Sequence, residues 1–205
     1  LSMMDYWDSR FGWLLKPFKT MRYLRRLNSK RQAKKNILAH YDLGDELYQT
    51  FLDSKMQYSS AIFDVESISL EEAQVNKLTR ICDQLKLRED DHLLEVGSGW
   101  GGLAIFAAEN YGCQVTTTTI SDNQYRYAKN KIDAAGLSNK INLLSDDYRL
   151  LQGKFEKVVS VEMIEAVGKK YLSGYFQKLN DLLKPGGLLM LQAITTADQR
   201  LKSYS

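Results

Sequence analysis

Cysteine and histidine are scarce in this chain, with two of each in 205 residues. Cys82 and Cys113 both lie in apolar settings, and neither their number nor their spacing suggests a disulfide framework or a metal site. A reducing, cytoplasmic compartment is therefore the default expectation. His40 and His92 have no cysteine cluster nearby, which leaves no zinc-ligand pattern. No apolar run approaches the roughly 20 residues that a membrane span needs, and no stretch reads as a signal peptide. Internal repeats and low-complexity tracts are missing as well. What remains, at 44% hydrophobic, is enough for one globular domain with a well-filled core.

A second absence is local. From Ser9 through Tyr41 there is no Asp or Glu but there are ten Lys or Arg, which the formal net charge of +3 conceals. Trp13, Leu14, Leu15, Phe18, Met21, Tyr23, Leu24 and Leu27 are interleaved with the basic residues. Basic and bulky apolar residues mixed in this way describe a segment that lies on an anionic lipid surface. The same composition also fits a solvated linker or a peripheral helix. A nucleic-acid arm would carry fewer apolar residues, so no nucleic-acid partner is expected.

The chain is organised around Leu93-Leu94-Glu95-Val96-Gly97-Ser98-Gly99-Trp100-Gly101-Gly102, followed by Leu103-Ala104-Ile105-Phe106-Ala107. A short apolar run stops at a glycine cluster, and helical apolar spacing follows at once. That pattern predicts a buried strand, a tight turn and a helix start, the nucleotide-binding turn of an α/β sheet. Gly97, Gly99 and Gly102 fit the dinucleotide pattern G-x-G-x-x-G, so the glycines alone do not choose a ligand. Glu95 does more, because a carboxylate there suits an ammonium group better than two phosphates. The next strand ends in Thr116-Thr117-Thr118-Thr119-Ile120, without the acid that a nicotinamide cofactor's ribose usually meets. S-adenosylmethionine (AdoMet), with an ammonium and no phosphate, suits the turn better.

Three segments are expected: a basic amphipathic stretch over 1–35, a helical lid over 36–68, and an AdoMet-binding core over 69–205. Within the lid, helical spacing runs across Leu47, Phe51 and Leu52. Ser69 with Glu72 reads as a capping box, opening a helix that buries Leu78, Ile81, Cys82 and Leu85. Strands are expected over 92–96, 114–120, 141–145, 157–161 and 188–194. Ser121 with Gln124 reads as a second capping box, for a helix that stops at Gly136. A helix over 169–183 is expected to bury Leu172, Phe176, Leu179 and Leu183, ending at Lys184-Pro185-Gly186-Gly187. Alternating strands and helices predict an α/β fold, a doubly wound and mostly parallel sheet covered on both faces.

Together the segments resemble the cyclopropane-fatty-acid synthases, a family that includes the mycolic acid cyclopropane synthases. The resemblance spans about Lys35 to Arg200. It rests on AHYDLGDELYQTFLD, QYSSAIF, LLEVGSGWGGLAIFAAENYGCQVTTTTIS, DDYR, VVSVEMIEAVG and KYLSGYFQKLNDLLKPGGLLMLQAIT. It implies a Rossmann-like class I AdoMet-dependent methyltransferase fold. Such a fold normally has further strands, so the chain is expected to be a fragment of a longer protein. The implied reaction adds a methylene across a cis double bond of an unsaturated phospholipid acyl chain, at an anionic membrane surface. That places the protein in the cytoplasm, peripheral at the inner face of the membrane. A homodimer is left open, since nothing in the sequence fixes oligomeric state.

The resemblance also implies roles for individual residues. Glu165 matches a glutamate that orients a bound bicarbonate, the base of the family reaction; the plainer alternative is a cap on the following helix. Glu162 lies close by, but the motif position falls on Glu165. Tyr41 and Tyr58 match aromatic residues near cofactor or substrate, with ordinary lid packing as the alternative. Ser59 follows Tyr58 in the segment that touches AdoMet. Glu95, Gly97, Gly99 and Gly101 match the cofactor turn, Thr119, Ile120 and Gln124 the ribose and adenine contacts, and Asp147 and Tyr148 the adenine edge. No residue is assigned to a metal.

Three departures stand out. Ser60 replaces a cysteine whose backbone helps hold bicarbonate, and Gln192 replaces a histidine of the same cage; the amide can still donate a hydrogen bond. A tyrosine that contacts bicarbonate in the family would lie beyond Ser205. Two other readings remain: a small-molecule N- or C-methyltransferase, which Ser60 and Gln192 favour modestly, and a non-catalytic domain that binds AdoMet or lipid.

Overall fold

A computed structural model of the chain describes residues 45–196. Its elements run α1 (Asp45–Gln49), α2 (Leu70–Gln84), β1 (His92–Val96), α3 (Gly102–Tyr111), β2 (Gln114–Thr118), α4 (Asp122–Ala134), β3 (Ile141–Leu144), β4 (Phe155–Val161), α5 (Leu172–Leu182) and β5 (Leu183–Gln192). The five strands form one sheet in the order β3-β2-β1-β4-β5, with every pairing parallel. Parallel strands are joined by crossovers that lay helices on the sheet, so both faces are covered and the strands read as apolar or β-branched runs.

Successive strand residues point to opposite faces, and this sorts the core into two layers. On one face Leu93, Val115, Ile141 and Val159 meet Leu78, Ile81 and Cys82 of α2 and Leu103, Ala104 and Ala107 of α3. On the other, Leu94, Val96 and Val158 meet Tyr175, Leu179 and Leu182 of α5. Each such buried leucine or isoleucine is worth about 2 kcal/mol of apolar burial. Strand order reverses between β1 and β4, and a crevice outside the carboxyl ends of these two strands is where a sheet of this kind receives its ligand.

The capping box of α2 forms as expected: Glu72 N–H donates to Ser69 Oγ at 3.2 Å, and Ser69 N–H donates to the Glu72 carboxylate at 2.8 Å. The second box forms only one arm. Gln124 N–H reaches Ser121 Oγ at 3.3 Å, but Ser121 N–H turns to Thr119 Oγ1 at 3.2 Å instead of the Gln124 side chain. That turn of the chain ends β2 at Thr118, two residues short of expectation.

Three other expectations are corrected. A 3₁₀ turn over Lys169–Tyr171 precedes α5, so the helix starts later and its buried stripe is Tyr175, Leu179 and Leu182. Phe176 is 43% exposed, because Tyr175 takes the core position and donates its hydroxyl to Ser160 Oγ at 2.8 Å. Lys184–Gly187 does not separate α5 from β5 but sits inside the strand as an irregularity, since Phe155 pairs with Leu183 and Lys157 with Leu188. Finally, within 45–68 only Asp45–Gln49 is helical, so the expected helical lid is mostly irregular chain. Of its expected helical face, Leu47 and Phe51 are exposed, while Leu52 packs against Tyr48, Met56 and Trp100.

Candidate active site

The glycine turn after β1 is held by the end of β2. Gly97 and Ser98 N–H groups both donate to Thr118 O, at 3.2 and 2.9 Å. Gly97, Gly99 and Gly101 have φ of +98°, +50° and +89°, a region side chains avoid. A Cβ on Gly99 would meet no atom within 4 Å, so the chain leaves open space beside it. Gly102 has a different reason to lack a side chain. A Cβ there would lie 2.3 Å from Lys55 O and 2.5 Å from Gln57 Nε2, so the third glycine of the pattern makes room for the 53–60 segment.

Glu95 is buried on β1 opposite Thr117 of β2, whose hydroxyl donates to Glu95 Oε2 at 2.6 Å. Burial pushes its carboxyl up to about 7, against the Thr117 hydrogen bond and the nearby Lys77 charge, which favour the ionised form. A ligand ammonium beside it would favour the ionised form.

Lys77 of α2 is fully buried, and sequence reasoning passed over it. Its Nζ donates to Gln57 Oε1 at 3.0 Å and Ser59 Oγ at 2.7 Å. Burial brings its ammonium down to about 8, opposed by the charges of Asp53, Glu162 and Glu95. One turn earlier, Gln74 Nε2 donates to Gln57 O at 3.3 Å and Ser59 O at 2.9 Å. Two polar residues three apart on the buried face of α2 thus fasten the Gln57–Ser59 stretch. Their polarity at positions flanked by Ala73 and Leu78 was the available signal. Asp53 closes the same loop, accepting from Gln57 N–H at 2.7 Å and Lys55 N–H at 3.1 Å. Trp100 of the turn ties in α1 through Nε1, 2.8 Å from Asp45 Oδ1, with its ring 4.8 Å from that of Tyr48. Tyr58 stands edge-on to Tyr48 at 5.5 Å and is 55% exposed.

The residues expected at the adenine side follow β2 and β3. Thr119 and Gln124 are both buried and bonded to each other, Thr119 Oγ1 donating to Gln124 Oε1 at 2.9 Å; Ile120 follows, half-buried. Asp147 is gripped by Arg149, whose Nε and Nη2 donate to its two carboxylate oxygens at 2.8 and 2.5 Å. Its carboxylate therefore shapes the turn after β3. Tyr148 sets its ring edge-on to Tyr175 at 5.3 Å, on the face opposite Glu95.

Ser60 and Gln192 come together, although 132 residues separate them: Gln192 Nε2 donates to Ser60 O at 3.0 Å. The carboxylate between them is that of Glu162, not Glu165. Glu162 Oε1 accepts from Ser60 N–H at 2.9 Å and from Gln192 Nε2 at 3.0 Å. Glu165 is exposed, in a 3₁₀ turn over Ile164–Ala166, and its Oε1 accepts from Ile194 N–H at 2.6 Å. Tyr41, His40 and the basic stretch lie outside the described residues. Among the described residues no helix is long and apolar enough to cross a membrane.

The parallel sheet, its strand order and the glycine turn define a Rossmann-like domain of the class I methyltransferase kind. The family model for mycolic acid cyclopropane synthetase matches residues 28–205, and the chain belongs to that family. The chain is 40% identical over 181 residues to the tuberculostearic acid methyltransferase of Mycobacterium tuberculosis, covering 85% of this chain and 42% of the relative. It is 40% identical over 168 residues to the cyclopropane-fatty-acyl-phospholipid synthase of Escherichia coli K12, covering 82% of this chain and 43% of the relative. Among solved structures, mycolic acid cyclopropane synthase CmaA1 complexed with SAH and CTAB superposes with a TM-score of 0.74 at 29% identity, covering 77% of this chain and 55% of that one. The chain thus spans less than half the length of these curated relatives.

Proposed function

We propose that the protein containing this chain transfers a methyl group from AdoMet to the cis double bond of an unsaturated phospholipid acyl chain, giving a cyclopropane ring or a methyl branch. The observation that carries the reading is the buried Glu95 beside a glycine turn whose neighbouring strand ends in threonines. That pairing suits an ammonium-bearing nucleoside and lacks the acid that a nicotinamide cofactor's ribose usually meets. The family's two kinds of lipid-modifying relative, and a solved neighbour bound to SAH, support the same cofactor.

The residues present fit AdoMet. Glu95 would take its amino end, Gly97, Gly99 and Gly101 would let the backbone approach it, and Tyr58 and Ser59 would close over it. Thr119, Ile120 and Gln124 would line the ribose and adenine side, with Asp147 and Tyr148 at its edge. When bound, AdoMet supplies a methyl on positively charged sulfur, which a feeble nucleophile such as an alkene needs. The protein's share is to hold the π bond in line with that methyl and to keep water from quenching the alkyl cation that follows. Tyr58 would face that cation with an aromatic ring.

The 36–68 stretch acts in this reading as the lid that sheds water. The basic 1–35 stretch would seat the protein peripherally on an anionic membrane. The test gives full-length protein AdoMet and vesicles of unsaturated phosphatidylglycerol. Lipid gaining one CH₂ supports the reading; methyl gain only on soluble amines would replace it with a small-molecule methyltransferase.

A further inference from the structure

A bound bicarbonate, implied by the resemblance as the base, does not fit this chain as it stands. Of the groups that would hold it, the Ser60 backbone and the Gln192 side chain already bind a carboxylate of the protein, and Glu165 accepts from Ile194 N–H. We propose that Glu162 is itself the proton acceptor of this site and that the reaction needs no bicarbonate. The inference rests on the lipid-alkylation reading above and adds the identity of its base.

The geometry makes Glu162 more than a surface acid. Ser60 N–H and Gln192 Nε2 converge on a single oxygen, Oε1, at 2.9 and 3.0 Å. Among the described residues no hydrogen bond involves Oε2, so one oxygen is fixed and the other keeps its lone pairs for a proton. Gln192 is itself oriented by Ser60 O at 3.0 Å, which points its amide hydrogens and settles its flip. The backbone enforces the arrangement. Glu162 has φ +48°, a conformation non-glycine residues adopt at a cost of about 1 kcal/mol or more, and its N–H donates to Gln192 O at 2.8 Å. This strained residue is the first one past β4, at the crevice where strand order reverses. The next side chain, Met163, lies against Gly97 of the cofactor turn. Lys77, buried behind the crevice, lends positive charge to the same carboxylate.

The step balances. In methyl transfer the C–S bond breaks with its pair going to sulfur, and the π pair forms the new C–C bond, leaving a cation on the other alkene carbon. Glu162 Oε2 then takes a proton from the added methyl, and the released C–H pair closes the ring. If hydride shifts first, the same proton transfer leaves a methylidene branch instead. Glu162 ends neutral, beside the exposed Ser60, where water can take the proton away.

The test uses full-length protein, AdoMet and unsaturated phospholipid vesicles in buffer purged of carbon dioxide, then with bicarbonate restored. Wild-type turnover is expected to change less than twofold. Glu162→Gln is expected to lose at least about 100-fold in turnover, the usual scale for removing a general base, with AdoMet binding held within threefold. Glu162→Gly empties the seat, and bicarbonate should restore its turnover at least tenfold while leaving Glu162→Gln unrescued. A second measurement does not need activity: ¹³C-bicarbonate line broadening should be absent with wild type and present with Glu162→Gly. Bicarbonate-dependent wild-type turnover, or bicarbonate bound by wild type, overturns the proposal, as does a Glu162→Gln variant within threefold of wild type. If wild type alkylates no lipid, the lipid reading fails, and the line-broadening result alone decides who occupies the seat.

Discussion

Lys77 Nζ lies 2.7 Å from Ser59 Oγ, so a buried cation of α2 holds the Gln57–Ser59 loop against the helix. Lys77→Met leaves the Gln57 and Ser59 side chains without that donor. The 57–60 stretch should then exchange its amide hydrogens faster, and AdoMet should bind at least about tenfold more weakly, a loss of about 1.4 kcal/mol. The folded lysine titrates near 8, below its ordinary value of 10.5. Between those values the unfolded chain holds a proton that the folded one has released, so this group makes stability rise with pH. The wild-type minus Lys77→Met difference in urea stability should therefore shift in favour of wild type by up to about 3 kcal/mol from pH 8 to 10.5. A flat difference means the lysine is not buried as described.

Glu95 sets a pH dependence of the opposite kind. Its folded carboxyl is raised to about 7, so without ligand the folded state holds a proton that the unfolded state has lost, and this group's contribution falls from pH 4.5 to 7. A ligand ammonium needs the ionised form. AdoMet affinity, read by calorimetry, should therefore rise by up to about tenfold per unit below pH 7 and level off above 8. Glu95→Gln should bind more weakly and show no such slope.

The glycines of the turn separate by role. Gly102→Ala puts a methyl where Lys55 O already lies and should cost about 1–3 kcal/mol of stability. Gly99→Val meets no neighbouring atom but is strained at φ +50°, so it should cost stability as well. The contrast lies in binding: its side chain enters the open space and should abolish AdoMet binding, whereas folded Gly102→Ala should still bind. Thermal melts and calorimetry on the two variants check this, and equal losses of binding would remove the distinction.

The elements that fix the fold were legible because they carry local signals. Leu93–Val96 and Val158–Ser160 are apolar runs closed by turns, and Ser69 with Glu72 announces its helix within four residues. The failures have a common physical origin in distant partners. Nothing near Tyr175 says that its hydroxyl will find Ser160, so the expected stripe of α5 holds at Leu179 but is one residue off at Phe176 and Leu183. Gln74 and Lys77 look like solvent-facing residues until Gln57 and Ser59 fold onto them. In the candidate site, the glycine turn and Glu95 could be read directly, whereas Glu162 could not. Its meaning lies in Ser60 and Gln192, 102 residues before it and 30 after, and in a backbone turn that no local pattern requires.

The most direct measurement titrates full-length protein with AdoMet and, separately, with NAD in a calorimeter at pH 8. AdoMet is predicted to bind saturably, one per chain, with NAD giving no heat beyond dilution and Glu95→Gln losing most of the AdoMet signal. Saturable NAD binding, or a crevice that leaves AdoMet unbound, would contradict the account.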